Sequence, residues 1–154
     1  MTDLLFVCIL IYAALYDQKN HRIPDGIACG IGGLFLIAWL TDMRGGYIAD
    51  ESYYVETVLG AVLPLVSMML IDWLKPKAFG GGDIKLIAAL GLYLGLYKMI
   101  TAVFLTIITA GISCLILLFL RKINAKSRIA LGPFIAAGAI MALFWGDALF
   151  KWFI

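Results

Sequence analysis

The sequence predicts an all-α, polytopic membrane protein with six transmembrane helices, and three observations carry that expectation. Of its 154 residues, 64% are hydrophobic and 14% charged, against roughly 45–50% and 25% in soluble globular domains. The mean hydropathy of +1.01 is that of a chain with too little polar surface to cover itself in water. The apolar residues fall in six runs punctuated by charge, Gly and Pro, and about 20 residues suffice for each crossing. Residues 1–154 are expected to form one membrane-embedded domain. Disorder, a disulfide scaffold and a nucleic-acid-binding domain are excluded by the same composition.

The runs are 3–22, 26–41, 55–74, 83–97, 99–120 and 129–150. The first would be short if it stopped at Tyr16, because 13 apolar residues precede Asp17. Continued to Arg22 it reaches ~30 Å, the thickness of the hydrocarbon core, and Asp17 then lies in the last turns of a membrane helix. Pro24 ends it, since proline biases Ile23 toward an extended backbone. Met1-Thr2-Asp3 lacks the basic start of a cleavable signal, and no small-residue cleavage site follows, so the first run is read as a retained helix. The second and fourth runs are short, which suits little tilt or a locally thinned bilayer.

Charge sets the orientation. Nine cations (Lys19, Arg22, Lys75, Lys77, Lys85, Arg121, Lys122, Lys126 and Arg128) go with the odd-numbered loops, and three (Arg44, Lys98 and Lys151) with the other side. The odd loops are therefore expected in the cytoplasm, with both termini outside the cell membrane. Arg121 to Arg128 reads as a topology determinant that touches anionic lipid headgroups. Gly26/Gly30 and Gly91/Gly95 are two GxxxG spacings that allow close helix approach, expected within the bundle rather than between copies; the oligomeric state is not readable. Cys8, Cys29 and Cys114 lie far apart in apolar runs and read as small buried hydrophobes. No metal or cofactor is expected.

Two carboxylates stand out, because an ionisable group at hydrocarbon is costly and therefore a functional hypothesis. Asp17 lies near the end of the first run and Asp83 opens the fourth, after Gly80-Gly81-Gly82; the charge count brings both to the same membrane face. Two aspartates at ~3 Å cannot both ionise comfortably, so one keeps a proton. The ionised member can take a proton from water while the other polarises a carbonyl, which is peptide hydrolysis by general acid–base chemistry. The start of the fourth helix favours an anionic Asp83, making Asp83 the readier base and Asp17 the readier proton carrier, although a coupled pair shares its titrations. The glycines permit unusual backbone angles and close approach of an extended peptide.

These residues resemble a known family. Gly80-Gly81-Gly82-Asp83-Ile84-Lys85-Leu86 resembles the GxGDxKL signature of the type IV prepilin peptidases, which are membrane aspartic proteases. Asp17 to Pro24 resembles their other motif, an aspartate followed by a basic residue and Ile/Leu-Pro, and Gly132-Pro133-Phe134 resembles the segment that opens their last helix. The resemblance runs in order from Tyr16 to Gly138. It implies a peptidase with catalytic Asp17 and Asp83 that removes the basic leader from pilin-like or preflagellin-like precursors on the cytoplasmic side. Larger bacterial members carry an extra N-terminal region with paired CxxC motifs, associated with N-methylation. Nothing here corresponds to it, so a peptidase-only member is expected.

Plainer readings compete with these. Asp17 could pair with Lys19 or Arg22, and Asp83 could serve as a helix N-cap. Lys85 is expected to act structurally or electrostatically. Asp25, after Pro24, starts a helix or attracts a basic leader. His21 is read as an interfacial polar residue, and Asp72 as a solvated helix end in preference to a contact for the leader. The glycine run lacks the GxxxxGK[ST] spacing of a phosphate loop. A small proton- or cation-coupled transporter would also use intramembrane aspartates, but near the midplane and with broken helices in matching halves. A non-catalytic scaffold would tolerate loss of both aspartates.

Overall fold

The computed structural model describes residues 2–20, 22–40, 51–75, 79–121 and 130–153. They form α1 (Thr2–Asn20), α2 (Asp25–Leu40), α3 (Glu51–Leu74), α4 (Gly81–Leu94), α5 (Leu96–Phe119) and α6 (Gly132–Phe153), with no strand among the described residues. The protein is all-α. Segments in α3, α5 and α6 (Tyr54–Leu74, Leu96–Phe119 and Gly132–Trp152) are long and apolar enough to cross a membrane. Large apolar side chains cover the outside, among them Leu4, Leu15, Trp73 and Trp152, and Phe119 is 89% exposed. Water would penalise such a surface, whereas lipid tails match it, as expected of an integral membrane protein.

The cysteines correct the sequence reading. Cys8, Cys29 and Cys114 are all exposed, because a membrane protein turns apolar residues outward as well as inward. His21 and most of the basic stretch after Arg121 lie outside the described residues.

α1 runs unbroken through Asp17 to Asn20, and Pro24 stands just before α2, where its carbonyl accepts the Ile27 N–H at 3.0 Å. The α4–α5 boundary differs from the expected one near Lys98. It falls at Gly95, whose φ of 75° is a left-handed value that glycine alone adopts without strain. Lys98 instead lies in the first turn of α5 and pairs with Asp147 of α6 at 3.1 Å.

Since lipid is as apolar as the core, close packing has to hold the helices together. α3 and α4 meet backbone to backbone: a Cβ at Gly60 would lie 2.7 Å from the Gly95 carbonyl carbon, and one at Gly91 would overlap the Gly60 carbonyl oxygen. Of the two GxxxG spacings, then, Gly91 serves a crossing inside the bundle, while Gly95 ends its helix. Gly26 meets nothing within 4 Å, and Gly30 meets Ile9 at an ordinary 3.7 Å.

The helices alternate in direction. At one end Ile23 and Asp25 meet the start of α4. At the other, the Tyr93 hydroxyl donates to Asp3 at 2.8 Å and the Tyr93 ring stacks on Phe6 with centroids 4.0 Å apart. α6 packs antiparallel on α5 but starts beside its middle: the Thr106 hydroxyl lies 3.4 Å from the Phe134 carbonyl oxygen. The stretch from Ala110 to Phe119 continues past the start of α6.

Candidate active site

Asp17, in the last turn of α1, is only 4% exposed. Burying a carboxylate is costly unless hydrogen bonds replace its water. Here the backbone N–H of Gly132, the first residue of α6, donates to Asp17 Oδ2 at 2.8 Å. Asp17 thus caps a helix 115 residues away in sequence and faces the positive end of its dipole. The local alternatives of Lys19 and Arg22 are not its hydrogen-bond partners. A sequence signal for this was present: Leu131 has no polar side chain to cap α6, and Pro133 has no N–H, which leaves the Gly132 N–H to be satisfied from elsewhere.

Asp83 sits on the first turn of α4, half-buried, as its third residue rather than its N-cap. Its Oδ2 reaches back to accept the Gly80 N–H at 3.3 Å, as the acidic member of a capping box does. The Gly82–Ile23 and Gly132–Asp17 contacts place the two carboxylates at the same end of the bundle. Each therefore has one oxygen held by a backbone N–H, and the second oxygen of each has no hydrogen-bond partner among the described residues.

The three glycines divide the work. Gly80 has φ −75° and ψ 139°, an ordinary extended backbone, and the positive-φ glycine among the described residues is Gly95. The expected unusual angles are thus not what the run supplies. Gly82 instead lets α4 press against the chain between α1 and α2, where a Cβ would lie 2.7 Å from the Ile23 carbonyl oxygen and 3.0 Å from Ile23 Cβ. A Cβ at Gly80 would lie 3.0 Å from Asp83 Oδ2, and one at Gly81 would meet nothing within 4 Å. The Gly82–Ile23 contact brings the two aspartate motifs to one end of the bundle.

Lys85 and Asp25 bridge α4 to the start of α2 at 2.7 Å, with side chains 57% and 67% exposed. Pro24, half-buried, sits between Asp25 and the Ile23 contact. Asp72 is half-buried rather than solvated, and accepts the Phe79 N–H at 3.5 Å across the α3–α4 connection. Beside the site, an apolar cavity of about 380 Å³ lies between α3, α4, α5 and α6, with Phe79, Met68, Leu90, Ala102 and Leu131 in its walls. Phe79 and Leu131 directly precede Gly80 and Gly132.

Residues 4–115 match the model of the type IV leader peptidase family. The chain belongs to that family. The matched span includes both aspartate motifs and stops before Gly132. Curated relatives include the prepilin leader peptidase/N-methyltransferases of Legionella pneumophila (32% identical over 163 residues, 98% of this chain and 52% of the relative), Aeromonas hydrophila (26% over 161 residues, 100% and 52%) and Bacillus subtilis (26% over 150 residues, 97% and 58%). The chain spans about half the length of these relatives. No solved structure matches it.

Proposed function

We propose that residues 1–154 form a membrane-embedded aspartic endopeptidase domain with six membrane-crossing helices that removes the basic leader from type IV pilin-like or preflagellin-like precursors. The observation that carries this reading is the placement of two carboxylates from separate helices at one end of the bundle, each with one oxygen tethered to a backbone N–H and the other without a hydrogen-bond partner among the described residues. Family membership supports the substrate class; the relatives' names join peptidase and N-methyltransferase activities, and only the first is proposed here. The transporter reading has no comparable support.

The hydrogen bonds favour roles opposite to those expected from the α4 dipole alone. Asp17 receives the shorter N–H bond, 2.8 Å against 3.3 Å, which holds its carboxylate the more firmly in place. We assign Asp17 as the base that takes a proton from water and Asp83 as the acid that gives one to the scissile carbonyl oxygen. Collapse of the tetrahedral intermediate re-forms the carbonyl and breaks the C–N bond, one hydroxyl proton returning to Asp83 while the proton gained by Asp17 passes to the leaving amine. The apolar cavity beside Phe79 and Leu131 offers room for a non-polar side chain of the substrate's membrane helix. The excess of cations on the odd-numbered loops supports a cell-membrane location with the site at the cytoplasmic face and both termini outside.

The test is co-expression with a tagged prepilin-like substrate in membranes, followed by its mass. Wild type should release a leader-length fragment, while Asp17→Asn and Asp83→Asn, expressed equally well, should not. Processing by either variant would overturn the dyad.

A further inference from the structure

We infer that Gly132 is a positioning residue: its backbone N–H holds the Asp17 carboxylate in the orientation that the reaction uses, and the position tolerates only glycine. The inference rests on Asp17 being catalytic, as proposed above, and adds the element that makes its geometry reproducible.

The start of α6 concentrates its hydrogen-bonding capacity at one atom. The N–H groups of Phe134 and Ile135 both donate to the Leu131 carbonyl at 3.0 Å, and Pro133 has none to offer. The Gly132 N–H is thus the donor of this first turn left for a partner outside the helix, and that partner is Asp17 Oδ2 at 2.8 Å. Its single bond fixes one oxygen of a short side chain and so aims the other.

Steric fit at the same point is strict. A Cβ at Gly132 would lie 2.7 Å from Asp17 Oδ2, 2.8 Å from Asp17 Cβ and 3.0 Å from Asp17 Cγ, whereas ordinary contact begins at 3.4 Å. These atoms belong to a two-carbon side chain on a packed helix and cannot swing aside as a long side chain would. Any substitution either displaces the carboxylate by about 0.7 Å or breaks its hydrogen bond. Misplacement of a reacting group by about 1 Å is worth on the order of 100-fold in rate.

A second glycine of α6 provides the structural control. At Gly138 a Cβ would overlap the Thr106 hydroxyl and lie 2.6 Å from the Ala102 carbonyl oxygen, so alanine there disturbs the α5–α6 packing without touching Asp17.

The experiment compares wild type, Gly132→Ala, Gly138→Ala and Asp17→Asn, purified in lipid nanodiscs, for leader cleavage (kcat and KM separately) and thermal midpoint. Gly132→Ala should lose about 100-fold in kcat at matched folded concentration, with KM within about twofold, a loss beyond what its lowered midpoint accounts for. Gly138→Ala should lose thermal stability and keep its kcat while folded. A wild-type kcat for Gly132→Ala, or a loss that merely follows its midpoint as in Gly138→Ala, overturns the inference.

A direct readout covers the case in which Gly132→Ala does not fold. Labelling with ¹³C-carbonyl leucine and ¹⁵N-glycine selects four Leu-Gly pairs in this chain, including Leu131-Gly132. Asp17→Ala should shift the Gly132 amide signal and speed its hydrogen exchange, leaving the signals of Gly60, Gly91 and Gly95 in place. An unmoved Gly132 amide overturns the inference on its own. Full cleavage by Asp17→Asn instead removes the catalytic reading beneath it, whatever the amide does.

Discussion

Adding one methyl group at adjacent glycines should give opposite results. In Gly82→Ala the new Cβ would meet three atoms of Ile23, the backbone O at 2.7 Å, Cβ at 3.0 Å and the backbone N at 3.3 Å. For the carbonyl to reach ordinary contact at 3.4 Å, the two segments must separate by about 0.7 Å. α4 has little freedom to retreat, because its other side is locked to α3 through Gly60 and Gly91. The displacement is therefore taken up by the Ile23–Pro24 link, which follows directly from the end of the helix carrying Asp17. Overpacking of this kind costs about 1–3 kcal/mol, and a shift approaching 1 Å between reacting groups costs on the order of 100-fold. Gly82→Ala should accordingly lose about 10- to 100-fold in kcat/KM for leader cleavage, with a lower thermal midpoint. Gly81→Ala, whose Cβ meets nothing within 4 Å, should cleave at close to the wild-type rate. The assay is steady-state processing of a labelled prepilin-like substrate in nanodiscs, with both variants at matched folded concentration. Wild-type activity in Gly82→Ala would refute the packing argument. Equal losses in both variants would mean that the run contacts the substrate rather than Ile23.

Three further outcomes are expected. Lys85→Ala or Asp25→Ala removes an exposed ion pair, so thermal scans should show a loss of no more than about 1 kcal/mol that fades with added salt. Gly91→Ala forces a Cβ into the Gly60 carbonyl and within 2.6 Å of Ala61 Cα; it should cost about 1–3 kcal/mol or more, visible as poor accumulation in membranes. Tyr93→Phe keeps the stack on Phe6 but loses the hydroxyl bond to Asp3, so it should cost about 1 kcal/mol and leave kcat unchanged, because the bond lies at the end of the bundle away from the carboxylates.

Hydropathy located the helices well, since apolar runs can be read without knowing what each residue faces. It could not tell inside from outside: when lipid and core are equally apolar, an exposed Cys8 or Leu15 and a buried Leu10 look alike. The two carboxylates were legible because charge near hydrocarbon is conspicuous, and the helix through Asp17 followed from the length needed to cross. Their surroundings were less so. The N–H that satisfies Asp17 comes from Gly132, 115 residues away, and local reasoning looked instead to Lys19 and Arg22. Reading Asp83 as an N-cap missed by three positions because Gly80 takes that place. The α4–α5 break was placed at a charge, Lys98, when the deciding feature was the conformational freedom of Gly95.

The unequal reach of α5 and α6 bears on how water gets to the carboxylates. Between Ala110 and Phe119, α5 is almost wholly apolar and exposes Ile112, Leu115, Ile116 and Phe119, so this stretch belongs in hydrocarbon. It rises about 15 Å, at roughly 1.5 Å per residue, beyond the level at which α6 begins and Asp17 is held. Asp17 and the start of α6 thus lie below the end of α5, whose apolar last turns stand beyond them as a greasy wall. α4, 14 residues long, spans only about 21 Å, short of the ~30 Å hydrocarbon core, so in the six-crossing arrangement proposed above the bilayer would dip on that side. In that arrangement headgroups and water would descend with the dip on one flank while acyl chains still wet the other. The proposed substrate, with its charged end in water and its apolar helix in lipid, would then present the bond between them to Asp17 and Asp83 without leaving either phase.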